Sequence, residues 1–190
     1  MSISDGELML LVRQNDAAAF DELVHRWEAS LIKFFYRHAG DRALAEDCAQ
    51  DVLLKLYRNR LSYVPSGSFR SFLFTIANNH WIDVVRSQRT VPAMLSADLL
   101  HLSAPAGELG CMRVPTPARQ AEIMELGERI ARAIRSLPDD QRAVWVLAEE
   151  CSLRYSEVAA ILRIPVGTVK SRMHFATLKL RELLKGELKP

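Results

Sequence analysis

Apolar residues recur along most of this chain with the period of a helix. Between Asp16 and His38 they fall at Phe20, Leu23, Val24, Trp27, Leu31, Phe34 and Phe35, the i, i+3, i+4, i+7 spacing that lines one side of an α-helix. Asp16 stands where an N-cap is needed, because a short carboxylate can accept the unpaired N–H groups of a first turn. Leu44, Cys48, Val52 and Leu56 recur every four residues, with Ala45, Ala49 and Leu53 beside them. They predict a second helix over residues 41–59, whose other face carries Glu46, Asp47, Gln50 and Asp51. After a loop at residues 61–67, Ser68 is placed to cap a third helix with Phe69, Phe72, Leu73, Ile76 and then Val84 or Val85 on its apolar side. No segment longer than a few residues alternates with period two, so strands are not expected.

The pattern breaks at residues 91–118. Pro92, Pro105, Pro115 and Pro117 fall there with only three charges, which reads as a linker. Its segment at residues 94–102 is too apolar for a plain spacer and could form a short docking helix. Helical periodicity returns over residues 119–136 and stops at Pro138. The Pro138-Asp139-Asp140 start, with proline and acids in the first turn, opens a further helix to Glu150. Two more follow, at about residues 155–162 and 166–185. The expected architecture is all-α: two small helical domains, residues 1–90 and 119–190, joined by a proline-containing linker at residues 91–118.

Composition narrows the classes. Of 190 residues, 49% are hydrophobic, so a sizeable core can form and intrinsic disorder is excluded. The net charge of +2 says little as a total, but its distribution is uneven. From residue 154 onward there are eight Lys or Arg against three Glu, or +5; the first 60 residues hold eight basic and ten acidic groups, or −2. A basic end suits an anionic partner and the slightly acidic half suits a protein. Cys48, Cys111 and Cys151 are widely spaced, so neither a disulfide framework nor a zinc site is indicated. Cys48 and Cys151, among apolar neighbours, read as small buried residues. The five histidines are scattered, and no Gly-rich phosphate loop, Gly-x-Ser-x-Gly elbow or His-Glu-x-x-His pair occurs. No cofactor or metal is expected, and the chain is not expected to be an enzyme on its own. With no signal-like N-terminus and no apolar run of the roughly 18–20 residues that span a bilayer, a cytoplasmic location is expected.

The strongest motif is SEVAAILRIPVGTVKSRM, residues 156–173. A helix-turn-helix needs a small residue where its helices touch, and Ala159 supplies it. Val158, Ile161, Leu162, Ile164 and Val169 can lock the pair around a short turn at Arg163-Ile164-Pro165. The second helix must carry polar and basic groups near the end that enters the major groove. Thr168, Lys170, Ser171, Arg172 and His174 meet that need: arginine can bond guanine in bidentate fashion, while Lys, Ser, Thr and backbone N–H groups hold phosphates. The turn asks for positive φ after Leu162, where glycine is the easy choice and Arg163 stands instead; left-handed strain of about 1 kcal/mol is expected there.

Read with its surroundings, this motif resembles region 4 of bacterial sigma factors. The run from Ile164 to Arg172, the later LKLRELL at residues 178–184 and the lead-in LPDDQRAV at residues 137–144 are close to the extracytoplasmic-function group. AFDEL at residues 19–23, DRALAED at 41–47, Gln50-Asp51-Val52, and FRSF at 69–72 through IDVVR at 82–86 resemble region 2 of the same group. The resemblance covers roughly four-fifths of the chain. It implies a protein that binds core RNA polymerase and directs it to promoter DNA. Asp47, Gln50 and Asp51 would face the β′ clamp helices, and the C-terminal domain would meet the β flap. Arg70, Asn79, Asp83, Arg86 and Arg89, with Trp81 nearby, would read the −10 element, and Thr168, Lys170, Ser171, Arg172 and His174 the −35 element. Holding an unpaired strand calls for basic groups along the backbone and amide or aromatic groups for the bases. For Trp81, packing and base stacking are both open; for Asp83, so are a local salt bridge and a base contact. His80, where the family often has an apolar residue, is given no role. An anti-sigma factor is a further implied partner. The competing readings are a helix-turn-helix regulator and a sigma-derived adaptor that does not initiate transcription.

Overall fold

In the computed structural model, residues 3–65, 67–90 and 117–185 are described. They form eight α-helices, with no strand among the described residues. α1 (Asp5–Arg13) opens with a capping box: Ser4 accepts from the Glu7 amide while the Glu7 carboxylate accepts from the Ser4 amide. α2 (Ala17–Ala39) starts on Asp16, whose carboxylate accepts from Ala19, and α3 (Arg42–Arg58) starts on Asp41, which accepts from Leu44. Between them Gly40 takes φ 74 and its N–H closes on the Tyr36 carbonyl. Glycine is favoured there on two counts, because a left-handed φ strains other residues and a Cβ would meet the Arg135 side chain at 2.9 Å.

The α2–α3 hairpin packs with α1 and α4 (Phe69–Thr90). The core between them is aromatic. Trp27 lies 5.8 Å from Phe69 and 6.1 Å from Phe74, and Phe34 stacks at 5.5 Å on Phe74 and 5.1 Å on Phe35. Rings in tilted and edge-on contact add to the burial that drives the bundle.

The second bundle is α5 (Pro117–Arg135), α6 (Asp139–Trp145), α7 (Tyr155–Leu162) and α8 (Val166–Lys185). Pro117 sits at the first position of α5, two residues before the expected start, where a missing N–H costs nothing. The helix expected to run to Glu150 changes character after Trp145. Residues Val146–Glu150 form a π-type turn closed by the Cys151 N–H on the Val146 carbonyl at 3.0 Å. Residues 91–116 of the expected linker, its segment 94–102 and Cys111 included, lie outside the described residues.

The two bundles touch. α7 packs on α4, and α2 packs on α5 and the π turn, so that buried residues of both halves join in one cluster. Polar contacts fasten the seam. Glu150 takes Arg37 at 3.1 Å and also Lys33, Tyr36 donates to Glu128, and Arg142 donates to the His38 carbonyl at 3.3 Å.

Candidate nucleic-acid and polymerase interfaces

Three surfaces carry the sequence-selected residues. The first is α8, held by α7. Ala159 is buried where the helices meet, and Val158, Ile161 and Val169 are buried around it, with Leu162 and Ile164 packed at the margin. Arg163 takes the left-handed turn conformation expected of it, φ 56 and ψ 44. Lys170, Ser171 and His174 project to solvent; Thr168 and Arg172 are half-buried. Ser171 donates its hydroxyl back to the Thr168 carbonyl at 3.0 Å. The Arg172 Nε lies 3.1 Å from the Asp140 carboxylate, so this guanidinium is tied to α6 rather than hanging free. Phe175, which the sequence reading passed over, stands 56% exposed beside His174, with the rings 5.7 Å apart and edge-on. The overlooked signal was an aromatic residue at an outward helix position.

The second surface is α4. Asn79, Asp83 and Arg86 follow at i, i+4 and i+7, share one exposed side, and line a cleft of about 260 Å³ closed from across by Ile161, Leu162 and Arg163 of α7. Arg70 is not part of this group. It lies at the other end of α4, its guanidinium 5.4 Å from the Trp27 ring centre and donating to the Ser152 carbonyl at 3.4 Å. Trp81 faces the other way, half-buried against His38 at 5.5 Å and Phe35 at 6.3 Å. Arg89 belongs to α4, but its side chain lies outside the described residues.

The third surface is α3, where Asp47, Gln50 and Asp51 are exposed together as the periodicity required. Leu54, 52% exposed, continues the same stripe one turn on and was not singled out from the sequence. Beneath it His80 has a structural place after all. Its Nδ1 sits 2.7 Å from Lys55 Nζ, its Nε2 lies 3.6 Å from the Asp51 carboxylate, and burial with Lys55 nearby pushes its pKa down. His80 therefore joins α4 to α3 as a neutral ring able to accept from the lysine.

Buried titratable groups elsewhere are chemically quiet. Burial raises the Cys48 thiol to about 11, and raises Cys151 as well, so neither is a ready thiolate. No group of three or more His, Cys, Asp or Glu with metal-ligand geometry occurs among the described residues. No described helix is long and apolar enough to cross a membrane.

Comparison with known proteins adds two family matches in order along the chain: Sigma-70 region 2 over residues 23–91 and Sigma-70 region 4 over residues 127–180. The chain is 33% identical to the ECF RNA polymerase sigma factor RpoE of Cereibacter sphaeroides, covering 92% of each protein. It is 32% identical to SigW of Bacillus subtilis, another ECF RNA polymerase sigma factor, over 92% of this chain and 93% of that one. Against SigE of Mycolicibacterium smegmatis it is 31% identical over 87% of its length, but spans only 62% of that longer protein. Among solved structures, CnrH in complex with the cytosolic domain of CnrY shares the fold at TM-score 0.69 and 24% identity, covering 96% of this chain and 97% of that one. The sigma factor RpoE of Bartonella quintana, solved with the anti-sigma factor NepR, shares it at TM-score 0.69 and 24% identity over 87% and 96%.

Proposed function

Because the chain belongs to the extracytoplasmic-function sigma factors, we propose that it joins core RNA polymerase, directs it to a set of promoters, and is held in check by an anti-sigma partner. The observation that carries this reading is the presence of both region 2 and region 4 on one chain in their proper order. A free-standing helix-turn-helix regulator needs only the second of these. Bond-making chemistry then belongs to the polymerase, and this chain supplies address and strand capture. Its workplace is the cytoplasm, where the polymerase acts.

In this reading residues 1–90 form the polymerase-binding and −10 domain, residues 91–118 the linker, and residues 119–190 the −35 domain. The Asp47, Gln50 and Asp51 side of α3 meets the β′ clamp helices, and the C-terminal domain meets the β flap. α8 enters the major groove of the −35 element with Thr168, Lys170, Ser171, Arg172 and His174 near its leading end, where side chains of a recognition helix reach bases and phosphates. Asn79, Asp83 and Arg86, with Arg70 and Arg89 along the strand and Trp81 behind them, hold the unpaired −10 strand. Amide and carboxylate groups read base edges while guanidinium groups hold phosphates. Arg163 and its neighbours on α7 stand across that cleft, so the two bundles must part before a strand can enter. Binding to the polymerase, which engages each bundle at a separate surface, supplies that separation.

The test is run-off transcription from a genomic fragment library with core polymerase, with and without the protein. New start sites that disappear with Arg86→Ala and weaken with Lys170→Ala are expected. Core binding without new starts would instead identify an adaptor, and absence of core binding would overturn the assignment.

A further inference from the structure

An α-helix advances about 100° per residue, so α8 sorts its side chains into faces. Val169, Met173, Ala176 and Leu180 are buried against the bundle. The opposite side carries Ser171, Leu178 and Glu182, with Phe175 beside them toward the Lys179 edge; Phe175 is 56% and Leu178 41% exposed. Cations border this stripe on both sides. Lys170 and Arg181 stand on one edge, Lys179 and the half-buried Arg172 on the other. A helix about 10–12 Å across fits a major groove about 12 Å wide. Cations on both edges then meet the phosphates of both walls, and the stripe between them meets the base edges.

The chemistry of the stripe limits what it can read. Ser171 spends its hydroxyl proton on the Thr168 carbonyl, and Arg172 is drawn by Asp140 toward α6. The bulkiest group left on this side near the leading end of α8, one turn beyond Ser171, is the phenyl ring of Phe175, held edge-on to His174. A phenyl ring has no donor or acceptor in its plane to offer. Against guanine, adenine or cytosine edges it would strip water from polar groups and give nothing back. Thymine alone presents an apolar feature in the major groove, its 5-methyl group.

We infer that Phe175 is a specificity-determining residue that packs on the 5-methyl group of a thymine in the duplex −35 element. This rests on the reading of α8 as the −35 helix. It shifts the discriminating contact from an arginine–guanine pair toward an A·T pair read by apolar contact.

The experiment replaces each thymine of the −35 element in turn, on both strands, with deoxyuridine. That change removes the methyl group and keeps the pairing. The template is a promoter identified by the run-off assay, and holoenzyme made from core polymerase and the full chain is assayed for open-complex formation. One position is expected to lose about fourfold, the worth of a single buried methyl group. With Phe175→Ala the thymine-to-uracil ratio at that position should fall to about one, Phe175→Leu should retain part of it, and Lys170→Ala should weaken both templates alike. A thermal melt of Phe175→Ala matching the parent is expected, since the ring is outside the core. No uracil-sensitive position, or a sensitivity that survives Phe175→Ala, overturns the inference. Holoenzyme indifferent to every base change in the −35 element would overturn the reading of α8 itself, and the inference with it.

Discussion

Arg163 holds the turn of the helix-turn-helix at φ 56 without being glycine. The left-handed conformation costs a non-glycine residue about 1–2 kcal/mol, while glycine's extra chain freedom costs about 0.5–1 kcal/mol on folding. The first exceeds the second, so Arg163→Gly should stabilise the chain by roughly 0.5–1 kcal/mol and raise Tm by about 2 °C. An unchanged or lower melting temperature would mean that the arginine side chain supplies compensating contacts. A second residue sets a pH dependence. His38 is buried between the bundles, its Nε2 has no hydrogen-bond partner, and burial with Arg142 beside it lowers its pKa to about 3. The unfolded chain binds a proton near pH 6.5, where the folded chain does not. Stability from the neutral ring is therefore complete above that pH and is lost as the pH falls from about 6.5 toward 3. At pH 5 the loss amounts to about 2 kcal/mol, or a Tm drop of roughly 5 °C relative to pH 7.5. His80 contributes in the same direction, so the His38 share is read as the difference from His38→Phe, whose aromatic ring suits the contacts with Phe34 and Trp81. Equal acid sensitivity in parent and variant would remove His38 as the cause. The strain at Arg163 was legible in the sequence, because the motif fixes which residue must turn. The burial of His38 was not, since a histidine at a helix end reads equally as a solvated C-terminal cation.

Among the helices, α3 presents the clearest division of labour. One side buries Ala45, Cys48, Ala49, Val52, Leu53 and Leu56, and the other exposes Asp47, Gln50, Asp51 and Leu54. An exposed leucine in line with three polar groups is the arrangement of an interface centre with a polar rim. Leu54→Ser should lower affinity for core polymerase about tenfold, as loss of an anchoring contact does. Its Tm should move by less than about 2 °C, because the side chain lies outside the core. Fluorescence titration of labelled protein with core measures the first, and undiminished affinity would remove Leu54 from the interface. α2, α3, α7 and α8 could be read from the sequence because each pairs a strong apolar period with a recognisable start or stop. α1 was missed. It has nine residues, too few for periodicity to stand out, and the Ser4–Glu7 capping box that starts it was the one signal that could have found it. Nor was the π turn at Val146–Glu150 legible, because one extra residue in a helical turn is imposed by packing at the seam rather than by local propensity.

Across the whole molecule, periodicity reveals that a face is buried but not what buries it, and the contact between the bundles was therefore invisible in the sequence. That contact has a dominant ionic clasp. The Glu150 carboxylate, with a side chain 9% exposed, takes Arg37, itself 12% exposed, and Lys33. Removing one partner of such a pair leaves a buried charge uncompensated and costs about 3–5 kcal/mol. Glu150→Gln leaves Arg37 in that position, and water can relieve it only if the bundles separate. The cost thus falls on the closed arrangement and spares each bundle's own core. Fluorophores on α3 and α8 should report a short distance for the parent protein at low salt. In Glu150→Gln the distance should lengthen, with the helical content unchanged by circular dichroism. Lys33→Ala should do less, since Lys33 is half exposed and largely solvated already. Opening the seam also uncovers Asn79, Asp83 and Arg86, so Glu150→Gln should bind a single-stranded −10 oligonucleotide more tightly in the absence of polymerase. The gain should shrink when Arg86→Ala is added. A variant that opens without gaining strand affinity would separate the clasp from DNA access, and one that stays closed would show that the apolar seam and the remaining polar contacts, Tyr36 to Glu128 and Arg142 to the His38 carbonyl, hold the bundles together without the Glu150 clasp.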